Sequence, residues 1–143
     1  MGASINAYFP GMTEEQLESQ PGFWNDDNAW ANWMAECDNE PAMAEAVRKL
    51  DAAPVLTFKT DGMEDEDVGW VTPQQLRDAA LKLRDAIRRG APETAIILKV
   101  YEKGANRIDP VQDEFLRDLD DVVALAEWGE QEGAKEITLE VNW

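Results

Sequence analysis

The sequence predicts one α+β domain, several helices packed on a small antiparallel sheet, and three observations lead there. Apolar and polar residues alternate at both ends of the chain, over Ser4 to Phe9 and Glu136 to Trp143, as in half-buried strands. Between them, apolar residues recur at helical spacing behind capping residues. The 143 residues, 44% of them apolar, suffice for a core burying roughly two thirds of the unfolded surface. No Gly, Ser or Pro-rich linker interrupts them, so 1–143 reads as a single acidic globular domain.

In the first strand Ile5, Ala7 and Phe9 face one way, and Pro10-Gly11 ends it. Thr13 and Gln16 then form a capping box, with Met12 placed to staple onto Leu17, so a short helix follows and stops before Pro21. A helix from Asp26 to Cys37 aligns Trp30, Trp33, Met34 and Cys37. The next, from Pro41 to Leu50, aligns Met43, Val47 and Leu50. Val55 to Thr60 alternates again with Leu56 and Phe58 inward, predicting a second strand, and the acidic tract Asp61 to Asp67 after it reads as a solvated loop.

Thr72, Pro73 and Gln75 give a cap, a first-turn proline and a capping-box partner, and Val71 can staple onto Leu76. A helix over 73–89 follows, burying Leu76, Ala80, Leu83 and Ile87, with Arg84, Arg88 and Arg89 opposing its negative end and Gly90 as its exit. Over 93–102, Ile96-Ile97-Leu98 would suit a strand. Pro92, with Ile96, Ile97 and Val100 at helical spacing, favours a helix ending at Gly104. Asp109, Pro110 and Gln112 repeat the capping pattern, so a helix runs from Pro110 to about Trp128 or beyond and ends in the Gly129 to Gly133 region, with Phe115, Leu119, Val122 and Ala126 inward. The last strand turns Ile137, Leu139, Val141 and Trp143 to one side.

Charge and composition limit the function. Thirty acids against 13 bases leave a net charge of -17, and residues 1–71 hold 15 of the acids but only 3 of the bases. Nucleic acid and anionic membranes should repel such a surface. With no histidine and one cysteine, the chain cannot build a Ser-His-Asp triad, a Cys-His pair or an intrachain disulfide. The longest apolar run, Val122 to Ala126, falls far short of the about 20 residues a membrane helix needs, and no secretory signal is read. A lone Cys37 without an export signal points to the cytoplasm.

The candidate chemistries are few. The Asp61 to Asp67 tract lacks the EF-hand order of acids, glycine and terminal glutamate, so no metal is expected there, and no motif asks for a cofactor. Glu114 with Asp118, and Asp118 with Asp121, have helical neighbour spacing and could serve a carboxylate-based hydrolase, but many such pairs arise by chance among 30 acids. Trp24, Trp30 and Trp33 could cage a cation, although the shared face with Met34 and Cys37 favours burial. Arg77, Arg84 and Arg88 should pair with the chain's own carboxylates.

The feature that stands out is the outward side of the 110–128 helix. There, counting about 100° per residue, Asp113, Asp120 and Asp121 share an arc with Trp128, an aromatic anchor ringed by charge. Together with Asp61, Glu64, Asp65, Glu66 and Asp67, these residues predict a surface for a basic protein partner. The chain then reads as a non-enzymatic binding protein that inhibits its partner, of immunity or antitoxin type. In size and charge alone it is similar to small acidic bacterial immunity proteins. A DNA mimic, needing acids spaced along an extended face, and a carboxylate hydrolase are the alternatives.

Overall fold

The computed structural model describes residues 4–23, 28–60, 62–105 and 110–142. Their elements run β1 (Ser4–Tyr8), α1 (Glu14–Ser19), α2 (Asn28–Ala35), α3 (Pro41–Lys49), β2 (Lys59–Thr60), α4 (Pro73–Arg88), α5 (Thr94–Glu102), α6 (Val111–Gln131) and β3 (Thr138–Asn142), with 3-10 turns at Ala53–Leu56 and Asp65–Asp67. Six helices pack against a three-stranded mixed sheet, the α+β architecture.

Local capping chemistry sets the helix starts. Thr13 accepts from the Gln16 N–H at 3.1 Å while Gln16 accepts from the Thr13 N–H at 2.9 Å. The same reciprocal pair joins Thr72 and Gln75 at 3.0 and 2.9 Å, with Pro73 in the first turn. Gly90 leaves α4 at φ 69°, a left-handed exit that glycine takes without strain. The 94–102 segment is a helix, as Pro92 and the spacing of Ile97 and Val100 favour, and α6 ends at Gln131, inside the expected Gly129 to Gly133 region. The predicted cap Asp109, the start of the second helix at Asp26, and Trp24, Asp61 and Trp143 lie outside the described residues.

The sheet order is β1-β3-β2. β1 and β3 are antiparallel, with Ser4 opposite Asn142 and Tyr8 opposite Thr138, whereas β2 lies parallel to β3, so the all-antiparallel expectation holds for one pair only. The second strand is also much shorter than predicted. Pro54 starts a 3-10 turn over Ala53–Leu56, which takes Val55 and Leu56 out of extended backbone and leaves Lys59 and Thr60 to pair.

One core joins the layers. Ile5, Ala7, Leu139 and Val141 are buried on the helix side of the sheet and belong to one core with Leu76 and Leu83 of α4 and Leu119, Val122 and Leu125 of α6. A Cβ added at Gly129 would meet Ile137 Cδ1 at 2.6 Å, so the Ile137 side chain, just ahead of β3, packs directly against the backbone of α6 there. Arg77 pairs with Glu130 at 2.8 Å and Arg84 with Asp120 at 2.9 Å, lacing α4 to α6 as expected of these two arginines, whereas Arg88 belongs to no ion pair among the described residues. No described helix is long and apolar enough to cross a membrane.

Candidate functional site

With Ile5, Ala7, Leu139 and Val141 turned to the helices, the opposite side of the sheet carries Asn6 and Tyr8 from β1 and Glu140 and Asn142 from β3, all half-buried. Asn6, Glu140 and Lys59 form one cross-strand row. At the end of this face Tyr8 stacks on Trp70, with ring centroids 5.9 Å apart and planes at 29°. Trp70 is also half-buried.

The acidic loop is tied to this aromatic pair at two points. The Trp70 indole N–H donates to the Asp65 carbonyl at 3.0 Å, and Lys59 Nζ donates to the Met63 carbonyl at 2.9 Å while lying 5.7 Å from the Tyr8 ring centroid. Glu64, Asp65, Glu66 and Asp67 therefore stand exposed beside two half-exposed rings. Partial burial, and then the carboxylates of Asp65 and Glu140, hold the Tyr8 hydroxyl above its ordinary pKa.

The outward arc of α6 is a different matter. Trp128 is only 8% exposed and packs on Phe9, with centroids 5.8 Å apart, so it is a core side chain and the anchor predicted there is withdrawn. Helical angle alone placed it outward, but the turn after β1 covers that end of α6. Asp120 is engaged by Arg84, and Asp121 is half-buried. Asp113 is exposed, but a rise of about 1.5 Å per residue puts it some four helical turns from Trp128. These residues form no aromatic-centred patch. Trp70, which sequence reasoning passed over, supplies the ring instead, and an aromatic three residues after an acidic tract was the signal available.

Two acids of α6 face inward. Glu114 is 2% and Asp118 1% exposed. Tyr101 of α5 donates a short hydrogen bond to Asp118, and burial together with that carboxylate raises the Tyr101 pKa strongly. Both Glu114 oxygens, and the indole N–H groups of Trp30 and Trp33, are buried without a hydrogen-bond partner among the described residues. Phe115 joins these groups, with ring centroids 5.3 Å from Trp30, 5.3 Å from Trp33 and 4.9 Å from Tyr101. Rings in mutual contact leave no hole for a cation, so Trp30 and Trp33 are core rather than cage.

Glu114 and Asp118 are desolvated acids four residues apart on one helix, as a carboxylate hydrolase could use, yet neither lines any of four concavities on the described surface. One of these, about 440 Å³, is lined by Cys37, Arg48, Leu56, Phe58 and Val71 among others. Burial and then Asp38 raise the Cys37 pKa, which keeps the thiol protonated at neutral pH and a weak nucleophile. Among the described residues no group of three His, Cys, Asp or Glu side chains could hold a metal ion. Compared with protein-family models, curated proteins and solved structures, the chain has no match.

Proposed function

We propose that this chain is an acidic binding protein that engages a basic protein partner through the Tyr8 and Trp70 face and blocks it, as an immunity or antitoxin-type inhibitor would. The observation that carries the reading is the stacked Tyr8–Trp70 pair held against the exposed acids Glu64 to Asp67. Half-exposed aromatic rings supply contact area at little entropic cost, and the surrounding carboxylates steer a cationic surface toward them. The net charge of -17 extends that attraction over the whole molecule. Action in the cytoplasm is part of this reading, where the thiol of Cys37 stays reduced.

A DNA mimic is less well supported, because Arg84 and Arg77 neutralise Asp120 and Glu130 and break the run of charge along α6. The test is affinity capture with three baits: the natural chain, a Glu64→Gln, Asp65→Asn, Glu66→Gln, Asp67→Asn variant, and Trp70→Ala. A basic protein retained by the first bait and lost by the other two is expected. A partner held equally by all three, or one that is itself acidic, overturns the proposal.

A further inference from the structure

β1 lies at the edge of the sheet, so half of its backbone groups point away from β3. At Ala7 both of those groups are met by one side chain. The Gln20 carboxamide accepts from the Ala7 N–H at 2.7 Å and its NH₂ donates to the Ala7 C=O at 3.5 Å. A carboxamide is a peptide group without a chain, so Gln20 stands where the backbone of a fourth strand would stand. Two residues earlier Ile5 directs its N–H and C=O the same way, and no hydrogen bond to them joins the described residues beyond the β1–β3 ladder.

The segment that carries Gln20 is lightly held. α1 has six residues and buries none of them, and its Leu17 is 39% exposed. Few apolar contacts oppose its local opening. Glu14, Glu15 and Glu18 of α1 are all exposed, and none belongs to an ion pair among the described residues.

We infer that an extended basic segment of a partner protein adds to β1 as a fourth strand, taking the place of the Gln20 carboxamide. The inference rests on the reading of the chain as a binder of basic proteins and specifies how that partner is held: backbone hydrogen bonds fix the strand, and the acids of α1 select its charge. Charge also decides between this occupant and a second copy of the chain, because pairing β1 with β1 would bring two sets of α1 carboxylates together.

The test uses the full chain with a short peptide alternating lysine and valine, a copy N-methylated at every residue, and a copy with glutamate for lysine. The lysine peptide is expected to slow amide exchange at Ile5, and the methylated copy, which keeps the charge but cannot donate backbone bonds, to bind at least about tenfold more weakly. Gln20→Ala, which removes the competing carboxamide, is expected to bind the lysine peptide several-fold more tightly. So is Gln20→Glu, which cannot donate to the Ala7 carbonyl and gives a second route if the alanine variant fails to fold.

Equal binding of the methylated copy, with its effects at Glu64 to Trp70, overturns strand addition and leaves the basic-partner reading standing. Binding of the glutamate copy as tightly as the lysine one overturns that reading as well. No binding of the lysine peptide, unchanged affinity in both Gln20 variants, or a Gln20→Ala chain that dimerises instead of binding peptide, each overturns the inference.

Discussion

Around Phe115, three further rings and two carboxyl groups are packed out of water; around Tyr8, one further ring stands half in it beside a run of exposed carboxylates. The ingredients are alike and the physics is opposite. In the interior, rings contribute by excluding water, while a carboxyl such as Glu114, with neither oxygen bonded, costs stability. At the surface the carboxylates remain solvated, contribute little to folding, and are available to a partner. The comparison separates the acids buried in the core from those on which the proposed recognition rests.

The sharpest break falls on the interior side. Phe115→Ala removes the ring shared by Trp30, Trp33 and Tyr101 and should cost about 3–5 kcal/mol in urea unfolding. Trp70→Ala, at the half-exposed ring, should cost far less by the same measurement. If the two losses are alike, the interior and surface rings do the same work and the distinction fails.

Next in size is Glu114→Met, which exchanges a buried, unbonded carboxyl for an apolar side chain of similar length. A gain of about 1–3 kcal/mol is expected, while neutralising Glu64 to Asp67 should stay within about 0.5 kcal/mol. A loss of stability in Glu114→Met would show that the carboxyl has a structural role these contacts do not supply.

What was legible follows the range of the interactions involved. The starts of α1 and α4 could be read because Thr13 with Gln16, and Thr72 with Gln75, act over a single helical turn. The shortening of β2 was half-legible, since Pro54 was in view but the pairing partner in β3 is remote in sequence. Trp128 was misread because its cover, Phe9, belongs to the other end of the chain. Asp118 could have been placed correctly: about 60° from Phe115 on the helical wheel, it falls between that ring and Leu125. Of the predicted site, the acidic loop found an aromatic neighbour and the α6 arc did not.

A third prediction concerns alkaline pH. Burial and Asp118 hold the Tyr101 hydroxyl above its ordinary value, so the folded chain keeps its proton to higher pH than the unfolded chain does. That contribution is complete below the unfolded value of about 10 and is lost as pH rises beyond it, at about 1.4 kcal/mol per pH unit. Tyr101→Phe should remove this slope. Unfolding curves at several alkaline pH values check it, and parallel losses in both chains would contradict the burial account.

The smallest expected effect is that of salt on folding. Mutual repulsion among -17 net charges is screened as the Debye length falls to about 10 Å at 0.1 M, so moderate salt should raise the melting temperature slightly. The chain neutralised at Glu64 to Asp67 should respond less, since it carries fewer charges to screen.

Association kinetics with a captured partner test the central claim most directly. Stopped-flow rates over a range of ionic strength should show the natural chain associating fast at low salt and slowing steeply as salt is added. The variant neutralised at Glu64 to Asp67 should start about tenfold slower with a shallow slope. Trp70→Ala should leave the on-rate in place and raise the off-rate. An on-rate indifferent to salt and to those four carboxylates would contradict the account.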